Sequence, residues 1–235
     1  MKNYGILHKQ HHWFSSYLEN RSQVVSCHNQ ISEKSYITLG VPQGSVLGPI
    51  LFTLFSNDLP NHTHLGSCNM FADDTLIYTT GKSSAEVQNK LQLCINEAAD
   101  WYLDNNLLLN ATKSNSLLLN NSTRQSKTPN PLDIFIGTTK IDHVSQADYL
   151  GLRIDNNLSW ESHIGRLCKR LGSKIAELKH LRKTANNDIL LHFYNVYIQP
   201  IIDYGITLWS NVPNTLLYKV QRMQNICARI ISKKL

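Results

Sequence analysis

Apolar and polar positions follow two periods along this chain, and the change between them organises it. From His12 to Asn20, Trp13, Phe14, Tyr17 and Leu18 recur at helical spacing, which predicts a short helix whose aromatic face is accounted for by core packing. Gln23 to Cys27 and Lys34 to Leu39 read as two strands around a polar turn at Asn29, the second ended by Gly40 and Pro42. Leu47, Ile50, Leu51, Leu54 and Phe55 keep to one helical face, with Pro49 in the first turn and Ser45 as a plausible N-cap. Met70-Phe71 and Leu76-Ile77-Tyr78 flank Ala72, Asp73 and Asp74, the pattern of two short strands joined by a tight turn.

Ser83-Ser-Ala-Glu86 fits a capping box opening a long helix with Val87, Leu91, Cys94, Ile95, Ala98 and Trp101 inward. Short strands are expected over 116–119, 134–136, 139–141 and 149–154, with a polar surface loop over 120–131. From Trp160 the period becomes helical. Ile164, Leu167, Leu171, Ile175 and Leu178 form one stripe. A second apolar helix runs from Leu190 to Ile198 and is stopped by Pro200. A third, Leu216 to Ile231, turns Val220, Met223, Ile226, Cys227 and Ile230 inward. The expectation is an α+β fold with a mixed portion over 1–155 and an all-helical portion over 156–235.

Composition narrows the class. With 235 residues and 42% hydrophobic content, the chain can bury one substantial core or two modest ones. No apolar run approaches the roughly 20 residues of a spanning helix, and the N-terminus lacks a signal peptide's apolar segment, so a soluble, intracellular protein with no membrane partner is expected. Cys27, Cys68, Cys94, Cys168 and Cys227 are odd in number and widely spread, which predicts buried free thiols and no zinc site. A net charge of +6 points to a polyanionic partner, nucleic acid and an acidic membrane surface alike. After Ser162 the only acids are Glu177, Asp188 and Asp203, among many Lys and Arg; Arg166, Lys169, Arg170 and Lys174 surround the first helical stripe.

Candidate chemistry centres on Asp73 and Asp74. Adjacent carboxylates repel one another and are tolerated between apolar strands at an exposed turn or beside a cation such as Mg²⁺, which takes oxygen ligands. For Asp-Asp alone a solvated turn is the commoner outcome. Gly44 would let a base, sugar or phosphate approach its backbone, and Gln43 offers an amide that both donates and accepts; alone, that loop is mostly structural. Lys113 follows an apolar segment and is ordinarily just solvated.

Together, Gly40-Val-Pro-Gln-Gly-Ser-Val-Leu-Gly-Pro49, Phe71-Ala-Asp-Asp74, Leu109-Asn-Ala-Thr-Lys113 and Tyr149-Leu-Gly151 closely resemble the reverse transcriptase of non-LTR (LINE-type) retrotransposons. The likeness extends from Tyr4-Gly-Ile through Trp13-Phe-Ser-Ser-Tyr-Leu18 to Ile202-Asp-Tyr-Gly205 and Trp209. It implies a partial polymerase palm followed by a helical thumb-like region. Asp73 and Asp74 would be catalytic carboxylates helping to hold two Mg²⁺ ions roughly 3.5 to 4 Å apart for nucleotidyl transfer. Gln43 and Gly44 would touch template and incoming nucleotide, and Lys113 would protonate the leaving pyrophosphate. Tyr149, Leu150 and Gly151 would belong to the primer-grip hairpin, and Arg166, Lys169, Arg170 and Lys174 would follow the nucleic-acid backbone. The implied partners are an RNA template and a DNA primer, and the implied compartment is the nucleus.

In that family a strand before the Tyr-Gly-Ile segment supplies a further catalytic aspartate, after the fingers. No Asp precedes Asp58 here, and the earlier carboxylates are Glu19, ending the aromatic helix, and Glu33, in a polar turn. The expectation is an N-terminally truncated reverse transcriptase fragment that binds Mg²⁺ weakly and is inactive as it stands, unless a partner chain supplies the missing palm and fingers. The alternative is a non-catalytic remnant that binds RNA or an RNA–DNA hybrid.

Overall fold

The computed structural model describes residues 4–119 and 131–232. It has two compact units, Met1–Leu109 and Asn110–Leu235. The polar loop expected after Leu119 falls on 120–130, and Lys233 and Lys234 follow Ser232, so these lie outside the described residues. Helices and strands are mixed in an α+β composition, and among the described residues every β ladder has two strands.

In the first unit, α1 (His8–Leu18) buries none of its residues. Trp13 is 53% exposed, lies nearly parallel to Tyr17 with ring centroids 5.7 Å apart, and takes Phe14 edge-on. The aromatic face is therefore at the surface and not in a core, contrary to expectation. The two strands expected next form one hairpin with an interrupted ladder. β1 (Ser22–Gln23) pairs with β4 (Ser35–Tyr36), and β2 (Ser26–Cys27) with β3 (Gln30–Ile31). His28 and Asn29 both have positive φ, the geometry that matches strand twist in a two-residue turn. Between the two ladders the Ser32 hydroxyl accepts the Val25 N–H at 2.9 Å, so a side chain takes a backbone partner's place.

α2 (Gly48–Ser56) carries Pro49 in its first turn. Ser45 acts three residues ahead of Gly48, accepting its N–H at 3.0 Å and donating to the Pro42 carbonyl at 2.8 Å; the N-cap position itself is Leu47. The buried stripe is narrower than expected, because Leu51 is buried while Ile50 and Phe55 are exposed. A 3₁₀ turn at Leu59–His62 leads into β5 (Ser67–Phe71) and β6 (Asp74–Tyr78), then α3 (Ser84–Asp104). The Ser83 hydroxyl accepts the Glu86 N–H at 3.2 Å, and the Glu86 carboxylate accepts the Lys82 N–H at 2.9 Å, a capping box displaced by one residue. Leu59, Cys68, Ala98 and Trp101 form the core beneath the β5–β6 hairpin, with Met70, Ile77, Tyr102 and Leu107 against it.

The second unit begins with β7 (Asn115–Leu117), which runs parallel to β10 (Asp142–Val144). β8 (Phe135–Ile136) and β9 (Thr139–Lys140) make a hairpin, as do β11 (Gln146–Tyr149) and β12 (Leu152–Asp155). The single strand expected over 149–154 is thus a turn and a strand. Leu150 and Gly151 have φ of 47° and 79° and form the turn. From Trp160 onward this unit is helical: α4 (Glu161–Leu181), α5 (Asn187–Phe193), α6 (Gln199–Asp203), α7 (Ile206–Trp209) and α8 (Asn214–Ile231). The α4 stripe is buried as expected, with His163 added, and packs with Val220, Cys227 and Ile230 of α8 in one core. Each fully buried Leu or Ile there contributes roughly 1.5 to 3 kcal/mol relative to exposure.

Pro200 does not stop the helix that precedes it. Residues Tyr194–Ile198 form a π-helical turn between α5 and α6. Proline lacks an N–H and its ring crowds the carbonyl four residues back; the wider turn accommodates both, and the chain continues helically to Asp203. All five cysteines are free, with Cys68, Cys94 and Cys227 buried but Cys27 exposed, so burial is not general. Burial pushes the Cys227 thiol up to about 11. Among the described residues no helix is long and apolar enough to cross a membrane.

Entry into α4 is fixed by Asp155. Its carboxylate accepts the N–H groups of Asn157 (3.2 Å), Ser159 (2.9 Å) and Trp160 (2.9 Å) and the Ser159 hydroxyl (3.2 Å). These bonds hold Leu158 and Trp160 at positive φ, where L-residues are strained. Burial works to raise the Asp155 carboxyl, but the backbone N–H bonds outweigh it and leave it below its ordinary value. Asp155→Ala is expected to lower unfolding stability by about 1 to 3 kcal/mol in urea denaturation at pH 7. Because the folded carboxyl is depressed, the difference from wild type is full above about pH 4 and shrinks as pH falls through the folded value.

Candidate active site

The β5–β6 register places Phe71 opposite Asp74, leaving Ala72 and Asp73 as a two-residue turn. Cys68 is buried, and Met70, Thr75 and Ile77 are half-buried on the same inward side; Phe71, Asp74, Leu76 and Tyr78 are exposed. Asp73 and Asp74 are thus brought together at an exposed tip, and no hydrogen bond or ion pair with the described residues occupies either carboxylate. Ala72 has a φ of 53°. Of the two turn residues it alone is positive, the geometry in which glycine is favoured at that position.

The tip is anchored from below by Tyr102 on α3, whose hydroxyl lies 2.8 Å from the Thr75 hydroxyl. Burial pushes the Tyr102 phenol up, the Thr75 bond opposes the rise, and the nearby Asp73 charge adds to it. Tyr102 thus braces the hairpin from α3 through Thr75. Two adjacent, unpaired carboxylates suit a hard divalent cation. Among the described residues, no group of three or more His, Cys, Asp or Glu side chains stands together as a metal site, and the pair therefore offers part of a ligand set.

Gln43 and Gly44 are exposed on the loop before α2. Gly44 has a φ of 77°, and the space where a Cβ would project is open. Lys113 is exposed in a turn organised by Asn110, whose side-chain oxygen accepts the Lys113 N–H and the Thr112 hydroxyl. In the second unit, Tyr149, Leu150 and Gly151 occupy the β11–β12 turn, and Arg166 and Arg170 on α4 line a cleft with Gly151. Arg166 donates to Asp148 at 2.8 Å, and Lys174 donates to Glu177 at 2.9 Å. Lys169 and Arg170 make no ion pair with the described residues.

Several residues bearing on the site escaped the sequence reading. Asp148 accepts two bonds from Arg153, at 3.0 and 2.8 Å, besides the one from Arg166, and so joins the hairpin to α4. The Arg153 hydrogen bond chiefly holds the Asp148 carboxyl down to about 2, against the effect of burial and with the help of Arg166. Asp148 and Arg153 are cross-strand neighbours, a relation visible only once the turn is placed at Leu150-Gly151. Tyr204 donates its hydroxyl to the Leu150 carbonyl and steadies the turn from α6. His163 lies four residues before Leu167 on the buried face of α4, and that spacing is the one signal that could have placed it there.

The succession of glycine-rich loop, carboxylate-tipped hairpin and basic helical unit is that of a nucleic-acid polymerase domain. Residues 1–154 match the family model described as reverse transcriptase (RNA-dependent DNA polymerase). The chain is 30% identical over 224 residues to the probable RNA-directed DNA polymerase from transposon X-element of Drosophila melanogaster, covering 92% of this chain and 24% of that protein. It is 28% identical over 246 residues to the RNA-directed DNA polymerase from mobile element jockey of the same fly, covering 97% of this chain and 26% of that protein. The corresponding polymerase from transposon BS is 29% identical over 97% of this chain. The chain belongs to the reverse transcriptase family, in the branch of the non-LTR retrotransposons, as its motifs indicated. It spans about a quarter of the length of these three relatives.

Ala72→Gly is expected to raise stability by about 0.5 to 1 kcal/mol, read by thermal or urea unfolding, because glycine relieves the positive-φ strain and loses part of that gain to chain entropy. Asp148→Asn tests the ion-pair junction. Wild type should exceed the variant in stability above about pH 4, where the unfolded carboxyl is ionised. The advantage should disappear as pH falls through about 2, where the folded carboxyl is protonated.

Proposed function

We propose that these residues form the later part of a polymerase palm and the thumb that follows it, in an RNA-directed DNA polymerase acting on an RNA template and a DNA primer. Asp73 and Asp74 are the carboxylates that hold Mg²⁺; bound there, the ions supply charge stabilisation and activation of the primer 3′-hydroxyl. The observation that carries this reading is the exposed tip that presents two adjacent, unpaired carboxylates on a hairpin braced by Tyr102. Gln43 and Gly44 approach template and nucleotide through an open, side-chain-free backbone. Lys113 donates a proton to the departing pyrophosphate. The Tyr149–Gly151 turn bears on the primer, and Arg166, Lys169, Arg170 and Lys174 face its phosphates, Lys169 and Arg170 being the unpaired charges.

Two carboxylates leave a two-ion site short of ligands, so the chemistry draws a further ligand from outside these 235 residues, in the same polyprotein or from a partner chain. By themselves the residues bind Mg²⁺ weakly and extend a primer poorly. A second reading, binding of RNA or an RNA–DNA hybrid without chemistry, is favoured by the absence of a third metal-ligating side chain beside the pair among the described residues. Primer extension on an RNA template with Mg²⁺ separates the two. The chain alone should be silent, and joining it to the upstream polymerase segment of a relative should restore synthesis. Asp73→Asn/Asp74→Asn in the joined protein should reduce the rate by on the order of a hundredfold or more. Activity of the chain alone that disappears in the double variant would overturn the need for an outside ligand, and silence of the joined protein favours the binding reading.

A further inference from the structure

A cleft between the β11–β12 turn and α4 holds a buried group, His163, that the reading above does not use. It is lined by Gly151, His163, Arg166, Leu167, Arg170, Ile201 and Tyr204, and its cavity is about 10 Å³. That volume admits one oxygen-sized atom and excludes a nucleobase. Gly151 has a φ of 79°, which favours glycine, and a Cβ built there would rest in ordinary contact with the Tyr204 ring at 3.4 Å, so the turn packs against that ring.

His163 is only 6% exposed. Its ring stands edge-on to Trp160 at 5.9 Å and tilted to Trp209 at 6.3 Å. The Arg153 N–H donates to its Nδ1 at 3.3 Å, which places the proton of the neutral ring on Nε2. That Nε2 is buried and has no partner among the described residues. A buried donor left unsatisfied is costly, and such groups are characteristically completed by a ligand or a water. Burial, with the charges of Arg166 and Arg170, keeps the His163 pKa below its ordinary value, and the charge of Asp148 only partly opposes them. The ring is therefore a neutral donor. Asp148 offsets Arg153 and Arg166, while Arg170 carries no ion pair with the described residues. The cleft is left with a positive balance and a free N–H.

We propose that this cleft seats one non-bridging phosphate oxygen of a nucleic-acid backbone, with the His163 Nε2–H, Arg166 and Arg170 as its donors. The assignment rests on the nucleic-acid reading above and extends it to a site built on a buried neutral histidine. The class of ligand follows from the donors: an anionic oxygen on a protruding group, small enough to enter alone. A neutral donor and a charged one differ in how salt affects them. Phosphate contacts by Arg release counterions and set the salt slope, whereas the His163 N–H adds affinity and leaves the slope alone.

The test uses the 235-residue chain and a fluorescently labelled RNA–DNA hybrid of about 12 base pairs, followed by anisotropy across a salt series. His163→Phe should weaken binding about fivefold to tenfold at every salt concentration, the value of one lost hydrogen bond, with unchanged slope. His163→Gln, which keeps a donor, should stay within about twofold of wild type. Arg170→Gln should reduce the magnitude of the slope by roughly 0.7 to 0.9. Independently of any variant's folding, the imidazole Nε2–H resonance of wild-type His163 should shift and exchange more slowly with water when hybrid is added. Hybrid binding with that resonance unmoved, or His163→Phe folding and binding like wild type, overturns the seat alone and assigns the cleft to a water. Failure of the wild-type chain to bind the hybrid overturns the nucleic-acid reading and the seat with it.

Discussion

A two-stranded ladder cannot bury a face by itself, and every ladder among the described residues has two strands. Each hairpin is therefore only as firm as the helix it rests on. The β5–β6 hairpin rests on the Leu59, Ala98 and Trp101 cluster, with the Thr75–Tyr102 bond near its tip. The β11–β12 hairpin rests on α4 through Leu152 in the core, the Arg153 N–H on His163 and the Asp148–Arg166 ion pair. The Ser22–Tyr36 hairpin has no such support, and Val25, Ile31 and Tyr36 stand mostly exposed. Both hairpins that carry candidate chemistry are braced by a helix.

Bracing also separates roles within each hairpin. Period-two alternation sends the inward residues of β5 and β6 to the helix and leaves the carboxylates at the tip without a hydrogen-bond or ion-pair partner among the described residues. In β11–β12 the turn residues contribute backbone, while charge comes from neighbouring positions. Asp148 consumes part of that charge, so the basic character of α4 is less uniform than its composition suggests. Arg166 and Lys174 are paired, and Lys169 and Arg170 have no ion pair among the described residues.

The carboxylate hairpin, the capped α3 helix and the buried stripe of α4 were legible in the sequence because each rests on a local signal: alternation around a turn, a capping box, a 3.6-residue period. The aromatic face of α1 misled because periodicity shows that a face exists and not what covers it. The residue pattern missed the β11–β12 turn, which only the resemblance placed in a hairpin, because Leu150, a poor turn former, takes positive φ beside Gly151. The helix through Pro200 was missed because the usual rule for proline assumes α geometry on both sides. Asp148 and His163 act through contacts between elements, which no local pattern encodes, whereas Asp155 acts within its own loop, on Asn157, Ser159 and Trp160. The candidate catalytic residues were found through the order of their motifs, since neither Asp-Asp nor a lone lysine is specific by itself.

The π-helical turn at Tyr194–Ile198 keeps two stretches of helix in phase. Leu190 before it and Ile202 after it are both buried in the same core. Twelve α-helical residues would leave two such positions about 120° apart around the axis, whereas a turn that absorbs one extra residue brings them to within about 20°. The wide turn thus works as a phase corrector, letting a stretch with one surplus residue keep a single apolar side. Removing one residue there would keep Leu190 and Ile202 in phase but return Pro200 to α geometry, so the surplus residue serves the phase and the proline at once.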